Sequence, residues 1–422
     1  MKKNIFKYIV TPIIAGIIGS LLLVLVSFIP QSAIQKNAEI SAEQLCADGI
    51  YPKYINIWDI SYRFDQQTDT LIMMGAYNLD DAKDALINPY RKAQNADEYT
   101  MDAFRKVVTE GAENDMVYVR YWQGFRILLR PLLLLLPYFE IRHIVSWVFF
   151  GLLFAMLAAL AERKGVGTAI CIGASIILVN PSIISHSLQF TPCFILSFIY
   201  VLFLIFTENK RYDRALAFCL FGILTQYFDF YTVPVLTCGL PLIVLLILDD
   251  DFAKGIKTVA KSFAAWAYGY ISMWLVKLVM VTLFTDVNGI SDGLGAFSKR
   301  IGIEKEVGLE AAYSPVDALL AVWDMITPGA TGAFFLIVTF LIVTVSALVI
   351  WKKQGFKTLM QTSVLLVVAA LPIIWHICAA QPTVIHAFFQ YRDMAVFFAG
   401  VFLFALKATP LWDKYLIKNN IK

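Results

Sequence analysis

Residues 9–29 read IVTPIIAGIIGSLLLVLVSFI, a run of 21 positions without a charged side chain. An α-helix rises about 1.5 Å per residue, so a run of this length crosses a hydrocarbon core about 30 Å thick. Lysines at positions 2, 3 and 7 precede the run, and it ends at Pro30 without a clear small-residue cleavage site. The pattern predicts an uncleaved first membrane helix that enters from the cytoplasmic side, rather than a secretory signal peptide.

The composition of the whole chain agrees with this first run. Of the 422 residues, 59% are hydrophobic and 16% are charged, whereas a soluble domain averages about 45–50% apolar and about 25% charged residues. These values exclude a soluble enzyme, a disordered regulator and a fibrous protein. The net charge of +3 is small and the basic residues are spread over short loops, so nucleic acid is not expected as a partner.

Nine further apolar runs predict helices at about 143–161, 167–183, 191–207, 215–229, 233–248, 263–284, 333–351, 358–378 and 393–407. The sequence therefore predicts an all-α, polytopic helical membrane protein with about ten transmembrane helices. A long extracytoplasmic segment follows the first helix.

Basic residues give this helix order a sidedness. Lysine and arginine cluster in alternate short loops, at 162–164, 208–214, 249–261 and 352–357, and again in the C-terminal tail from Lys407 onward. Loops rich in these residues stay in the cytoplasm. Both termini are therefore predicted to be cytoplasmic, and the remaining loops extracytoplasmic.

The predicted organisation has five parts: the first helix (1–30), an extracytoplasmic segment with interfacial helices (31–142), helices two to seven (143–284), an outer loop (285–331), and helices eight to ten with the tail (332–422). Within the outer parts, three shorter stretches are predicted to be helical: a helix-like run from Asp80 to Lys106, an interfacial piece from Phe125 to Phe139, and an amphipathic helix from Val316 to Ile326.

Carboxylates in the first outer segment are candidates for a general base. Asp59, Asp65 and Asp69 fall within eleven residues, and a carboxylate in a partly desolvated cleft can accept a proton. Asp65 and Asp69 share one face if they lie on a helix. For each aspartate alone, a solvated surface position is the competing interpretation.

Four cations are candidates for binding a lipid phosphate. Lys277 lies about two turns inside the seventh helix, where an uncompensated charge is costly. Arg126, Arg130 and Arg392 could join it, because a guanidinium fork matches phosphate oxygens. The alternative for Lys277 is a side chain that extends to the membrane surface.

Polar and aromatic residues at the predicted outer helix ends are candidates for binding a substrate: His186, Gln189, Asp229, His386 and Tyr391. Tyrosines also serve as interfacial anchors, and single histidines at helix ends often have only structural hydrogen bonds. The aspartates and histidines are too scattered for metal ligands to be assigned, so a divalent metal stays open as a cofactor.

Two resemblances follow from these residues. The layout, with one entering helix, a long acidic outer segment and a polytopic bundle, resembles the GT-C class of membrane glycosyltransferases. Four short segments resemble a bacterial family of multi-pass proteins without a settled function: Gln67–Leu71 (QTDTL), Arg120–Gly124 (RYWQG), Leu128–Leu132 (LLRPL) and His386–Arg392 (HAFFQYR).

The GT-C resemblance implies transfer of a sugar from a polyprenyl-phosphate donor to a cell-surface glycan or lipid acceptor, outside a bacterial cytoplasmic membrane whose lipids are further partners. Asp69 is the nearest match to the base of that class and Asp65 is the reserve. Many members carry an acidic pair very soon after the first helix, whereas the first cluster here begins at Asp59.

Three other functions stay open. A lipid-linked polysaccharide polymerase or ligase would place its chemistry in the later outer loops, with Lys299, Arg300 and His386. A transporter or flippase would place ionisable groups near the midplane, often in related repeats, and no repeat is visible here. A non-catalytic assembly partner is the third.

Overall fold

A computed structural model describes residues 2–57, 60–95, 97–249, 251–300, 313–327 and 329–409. Asp59 and the tail lysines at 414, 418 and 422 lie outside these ranges. The structure is 76% helical, with almost no sheet. The chain is an all-α polytopic membrane protein, as the sequence predicts.

The first elements in chain order are α1 (Lys2–Ser27), α2 (Gln31–Asp48), β1 (Lys53–Ile57), β2 (Ile60–Arg63), α3 (Gln66–Tyr77), α4 (Ala82–Ile87), β3 (Pro89–Tyr90), α5 (Thr100–Glu110), β4 (Met116–Val117) and α6 (Arg126–Leu133). They continue with α7 (Tyr138–Lys164), α8 (Val166–Ile177), α9 (Pro181–Ser185), α10 (Thr191–Phe206), α11 (Arg214–Phe228), α12 (Leu236–Asp249), α13 (Gly255–Phe284) and α14 (Gly289–Arg300). The last are α15 (Pro315–Asp324), α16 (Ala330–Gln354), α17 (Phe356–Thr362), α18 (Val364–Ala369), α19 (Leu371–Cys378), α20 (Ala380–Ile385), α21 (Ala387–Gln390), a 3₁₀ turn (Tyr391–Asp393) and α22 (Met394–Lys407).

All ten predicted apolar helices are present. Within the described ranges, six helical segments are long and apolar enough to cross a membrane: Phe6–Ser27, Tyr138–Lys164, Gly255–Phe284, Thr331–Gln354, Phe356–Cys378 and Ala387–Lys407. The other four, α8, α10, α11 and α12, are apolar but have only 12 to 16 residues. A helix of that length spans about 18–24 Å, so full crossing by these four stays a prediction.

Burial separates the centre of the bundle from its perimeter. In the apolar window of Ala387–Lys407, 78% of the residues are buried, whereas the value is 11–33% in the other five long segments. Helix α22 accordingly packs against α8, α12, α16, α18 and α19. The perimeter helices expose large apolar side chains such as Phe154, Leu283 and Phe340, which is the arrangement expected where lipid is the solvent.

The outer segment has an apolar core of its own. Buried side chains from α2, α3, α5 and α6 form this cluster, with Ile34, Met73, Phe104 and Leu133 among them. Two short antiparallel pairs, β1 with β2 and β3 with β4, complete the segment. Its core packs onto the start of α7 through Tyr138 and Ile141.

The predicted helical run from Asp80 to Lys106 is wrong as a single element. Helix α4 ends at Ile87, because Asn88 adopts a left-handed conformation with φ 48°. Pro89 follows directly and cannot supply a helical N–H. A short strand then separates α4 from α5. The amphipathic helix predicted at Val316–Ile326 is confirmed as α15.

Contacts between turns show which loops lie at the same end of the bundle. At one end, Lys164 pairs with Glu208 at 3.2 Å, and Arg214 pairs with Asp249 at 2.5 Å. Gln354 donates to the carbonyl of Lys407 at 3.1 Å. All of these turns belong to the basic, predicted cytoplasmic set. Loops that the charge pattern assigns to one side of the membrane therefore also contact each other.

Two glycines allow α11 and α13 to touch backbone to backbone. A Cβ at Gly222 would lie 2.1 Å from the carbonyl oxygen of Trp266, and one at Gly269 would lie 2.0 Å from that of Cys219. Neither distance is possible for a real side chain, and the obstacle is backbone. This close approach holds the end of α11, and the loop after it, beside the outer segment.

Candidate functional site

A cavity of about 340 Å³ lies at the bundle end opposite the basic turns. Its lining combines residues of the outer segment with residues of the connections that follow α8, α11, α13 and α19. These connections are all predicted to be extracytoplasmic. Sites for small molecules commonly enclose about 300–1,000 Å³, so this cavity is the candidate functional site.

Four aromatic rings form one side of the cavity, here called the aromatic wall: Tyr118, Tyr121, Phe230 and Tyr231. Tyr118 and Phe230 stack in parallel, with ring centroids 5.6 Å apart and an interplanar angle of 7°. Tyr121 contacts Phe230 at 5.3 Å and Tyr231 at 6.3 Å. Tyr231 has a φ of 60°, a strained backbone position typical of functional sites.

Backbone hydrogen bonds bring the two halves of the aromatic wall together. The amide of Gly124 donates to the carbonyl of Tyr227 at 2.8 Å, which ties the outer segment to the last turn of α11. The indole of Trp122 donates to the carbonyl of Met273 in α13 at 2.9 Å. Side chains about 110 positions apart in sequence thus face one space.

An arginine joins two further rings that line the cavity. The guanidinium of Arg63 lies between Tyr51 and Phe388, at 4.8 and 4.7 Å from the ring centroids. Tyr51 follows α2 and Phe388 lies in α21. This cation–π contact therefore connects the outer segment to the loop before the central helix.

Asp65 supplies a carboxylate to the cavity lining. It is the N-cap of α3, where its side chain accepts hydrogen bonds from the amide of Thr68 at 3.1 Å and the hydroxyl of Thr68 at 2.7 Å. The side chain is 5% exposed. Burial raises the pKa of Asp65 above its ordinary value, although the two hydrogen bonds from Thr68 act in the opposite direction.

Arg120 supplies a cation to the same space. Its Nε donates to Asp292 of α14 at 3.0 Å, and its guanidinium lies 5.2 Å from the ring centre of Tyr118. A third of the side chain is exposed. Arg120 is thus held in place at the cavity by an ion pair and a ring contact.

Amides and one imidazole complete the polar lining. The Oε1 atom of Gln189 is buried and has no hydrogen-bond partner among the described residues. Gln390 accepts a hydrogen bond from Thr383 at 3.2 Å, and the ring of His386 stacks on Phe389 at 5.1 Å. Gln189, Gln390 and His386 offer groups of the kind that bind hydroxyl-rich or phosphate-bearing ligands.

Asp69 lies behind the cavity rather than in its lining. Its carboxylate is 1% exposed and accepts four hydrogen bonds: from Tyr138 Oη at 2.6 Å, Ser187 Oγ at 3.3 Å, the amide of Leu188 at 3.1 Å and the amide of Gln189 at 2.9 Å. It fastens α3 to the turn that carries Gln189. The predicted role of Asp69 as base stays a prediction that this enclosure does not favour.

Lys277 and Arg126 bind the C-terminal end of α4. Lys277 Nζ donates to the carbonyl of Leu86 at 2.7 Å, and Arg126 donates to those of Asp84 and Ala85 at 3.3 and 2.9 Å. Three successive carbonyls at a helix C-terminus, which carries partial negative charge, therefore receive two cations. Both side chains are fully buried, away from the cavity lining.

Arg130 has a comparable role at two other helix ends. It donates to the carbonyl of Ile29, just after α1, at 2.6 Å, and to those of Ala76 and Tyr77 at the end of α3, at 2.7 and 2.8 Å. It also pairs with Asp80 at 3.2 Å. The predicted binding of lipid phosphate by Lys277, Arg126 and Arg130 is untested, and each has a structural partner instead.

Arg392 and Tyr391 lie inside the bundle, next to the cavity. The guanidinium of Arg392 is 3.9 Å from the ring centre of Phe190, and its Nε and Nη1 atoms have no hydrogen-bond partner in the described part of the chain. Tyr391 donates to the carbonyl of Val179 at 3.4 Å. Neither side chain lines the cavity, although Gln390, just before them, does.

His186 and Asp229 also lie outside the cavity lining. The Nδ1 atom of His186 is 3.0 Å from the carbonyl of Ser182, and its ring faces Tyr54 and His143. Asp229 is 1% exposed and accepts hydrogen bonds from the amide and hydroxyl of Thr232. Of the predicted site residues, Asp65, Gln189 and His386 are therefore the ones that the fold brings together.

Sequence reasoning missed most of the aromatic lining. Tyr118, Phe230, Tyr231 and Phe388 are not among the candidates that the sequence offers. Arg120 and Tyr121 belong to a segment that was singled out only for its resemblance. The sequence signal for the aromatic wall is the number of aromatic residues beside Arg120 and just after α11.

The fold and the cavity define a class: an all-α polytopic membrane protein with a polar, aromatic-lined cavity at one end of its bundle. No protein-family model, curated protein or solved structure matches the chain. Among the described residues, no group of three or more His, Cys, Asp or Glu side chains is placed to hold a metal ion.

Proposed function

We propose that the chain is a membrane glycosyltransferase that moves a sugar from a polyprenyl-phosphate donor to a cell-surface glycan or lipid acceptor. In this proposal the protein lies in a bacterial cytoplasmic membrane, both termini are cytoplasmic, and the cavity faces outward. The observation that carries the proposal is the meeting of Asp65, Arg120 and the aromatic wall in one cavity.

The aromatic wall supports a sugar as ligand. Aromatic faces pack against the apolar C–H faces of pyranose rings, while amides and carboxylates bind the hydroxyl groups at the ring edge. Tyr118 and Phe230 present nearly parallel rings, and Gln67, Gln189 and Gln390 lie around them. A volume of about 340 Å³ accommodates one or two sugar units.

Asp65 is the preferred general base. It would take the proton of an acceptor hydroxyl as that oxygen forms a bond to the anomeric carbon and the bond from this carbon to the donor phosphate breaks. Its raised pKa makes it a stronger base than an exposed carboxylate. This choice replaces Asp69, whose four hydrogen bonds leave no free lone-pair direction toward the cavity.

Arg120 is the preferred partner of the departing phosphate. A guanidinium placed where negative charge develops stabilises the transition state more than the ground state. A third of the Arg120 side chain is exposed, so a charged headgroup can reach it. His386 lies in the same lining.

The test has two stages. First, the lipids that copurify with the protein from its native membrane are identified by mass spectrometry. A polyprenyl phosphate or its glycosylated form supports the proposal. Bulk phospholipid alone, from a well-folded sample, contradicts it and favours the transporter or assembly-partner functions.

The second stage compares Asp65→Asn with Asp81→Asn in a transfer assay that uses the identified lipid. Both aspartates are N-caps of short outer helices, and asparagine is an equally good N-cap. We expect Asp65→Asn to lose about 10²–10⁴-fold in turnover, the usual contribution of a general base. Asp81→Asn should retain wild-type activity. Equal activity of the two variants would refute the role of Asp65.

A further inference from the structure

A second concave surface lies at the basic end of the bundle, which is the end opposite the cavity. It is a groove of about 430 Å³, here called the basal groove, between the turn before α13 and the first turns of α17 and α18. Its lining is Phe252, Ala253, Ile256, Phe356, Lys357, Met360, Gln361 and Val364. None of the described residues of this lining is acidic.

The walls of the basal groove are apolar and unusually exposed. Phe356 is 62% exposed, Met360 is 60% exposed and Ile256 is 54% exposed. These three side chains lie near the helix ends. The lining continues toward the bundle interior with Phe252 and Val364, which are buried. Such a surface is suited to an acyl chain that enters from the surrounding bilayer.

Lysines lie in the lining of the basal groove, beside it and close to it in sequence. Lys357 lines it, and the ammonium of Lys407 lies 4.5 Å from the ring centre of Phe252. Four further exposed lysines are close in sequence to the lining, at positions 257, 261, 352 and 353. None of these four, nor Lys357, forms an ion pair within the part of the chain that the structure describes.

Two carboxylates near the basal groove, among the residues that the structure describes, already have partners. Asp251 pairs with Lys254 at 2.8 Å, and Asp249 pairs with Arg214 at 2.5 Å. The lysines at positions 257, 261, 352, 353 and 357, here called the lysine rim, therefore keep an excess of positive charge. An apolar groove with Lys357 in its lining, and with further lysines close to it in sequence, complements the two parts of an anionic phospholipid, its acyl chains and its phosphate.

We propose that the basal groove is a binding site for an anionic phospholipid of the membrane leaflet at the basic end. Charge complementarity decides between occupants. A second copy of the chain, docked through the same patch, would bring lysine rim against lysine rim. Residues 410–422 carry Lys414, Lys418 and Lys422 against one Asp413, so this tail is also cationic and is repelled.

The experiment uses the full-length protein in detergent, titrated with phosphatidylglycerol or phosphatidylcholine of identical acyl chains and followed by native mass spectrometry. We expect phosphatidylglycerol to be retained more strongly. Lys357→Gln should weaken its binding about fivefold, because one lysine near a membrane surface contributes about that factor. Phosphatidylcholine binding should change little.

Two variants make the assignment specific. Lys210→Gln removes an exposed lysine from another turn of the basic end and should bind phosphatidylglycerol like the wild type. Met360→Trp fills the basal groove and should weaken binding of both lipids. Equal retention of the two lipids, or equal losses in Lys357→Gln and Lys210→Gln, would overturn the proposal. So would a disulfide-linked dimer of Met360→Cys in membranes, since it would assign the groove to a second copy.

Discussion

The buried carboxylate of Asp69 predicts a specific dependence of stability on pH. Burial raises its pKa to about 6 from the ordinary value of 3.8, and this outweighs the opposing hydrogen bonds from Tyr138, Leu188 and Gln189. Between these two pH values the folded protein binds the proton more tightly than the unfolded chain does. The free energy of unfolding therefore falls as the pH rises through this window. A difference of about two pH units corresponds to about 3 kcal/mol.

Asp69→Asn removes the ionisable group and, with it, this contribution. Asparagine keeps only one acceptor oxygen, so one of the two backbone amides at 188 and 189 loses its partner, at a cost of about 1–3 kcal/mol. That cost is present at every pH, whereas the cost of burying a charge begins in the wild type above the ordinary pKa of 3.8 and is complete above the folded pKa of about 6. The free energy of unfolding of the wild type minus that of the variant should therefore fall, by up to about 3 kcal/mol, from pH 4 to pH 7, and can become negative.

The assay is thermal unfolding of the two proteins in the same detergent, followed by tryptophan fluorescence between pH 4 and pH 7.5. Asp81→Asn is the matched control, because Asp81 is an exposed N-cap in the same segment, and its gap to the wild type should stay constant. If the free energy of unfolding of the wild type minus that of Asp69→Asn stays constant or rises with pH, the burial argument is refuted.

Three further predictions concern other parts of the molecule. Lys277→Met should lower the stability of the protein by about 1–3 kcal/mol, because the carbonyl of Leu86 loses its donor, while the affinity of the folded fraction for donor lipid should be unchanged; a selective loss of affinity would return Lys277 to the phosphate site. Tyr118→Ala should weaken saccharide binding about tenfold, since an aromatic contact is worth about 0.5–1.5 kcal/mol, in a fluorescence titration where Tyr99→Ala, an exposed ring outside the cavity, is unaffected. Cysteines placed at Asp286 and Lys353 should react with an impermeant reagent from opposite sides of the membrane, at 286 from outside, and labelling of both from one side would contradict the topology.

The helices were predictable because their cause is local. A long uncharged run in a bilayer must satisfy its backbone hydrogen bonds within itself, and only a helix does so with consecutive residues. The runs at 9–29 and 333–351 are examples, and the structure has helices there. Where a local signal was misjudged, as at Asn88-Pro89, the predicted helix was too long.

The site was predictable only in part. Asp65, Gln189 and His386, which line the cavity, are candidates from sequence because polar residues at helix ends are conspicuous in an apolar chain. Tyr118 and Phe230 were not, because an aromatic residue near a membrane surface has the same local pattern whether it anchors the chain or lines a cavity.

The sequence by itself determined the class of fold, the approximate helix positions and the expected side of each loop, all of which depend on runs of neighbouring residues. Only the tertiary structure decided which polar groups are available to a ligand. Lys277 donates a hydrogen bond to a carbonyl 191 positions away, and Asp69 accepts one from an amide 120 positions away. A charged side chain buried in a fold takes the nearest partner in space, and that partner is set by packing rather than by chain order.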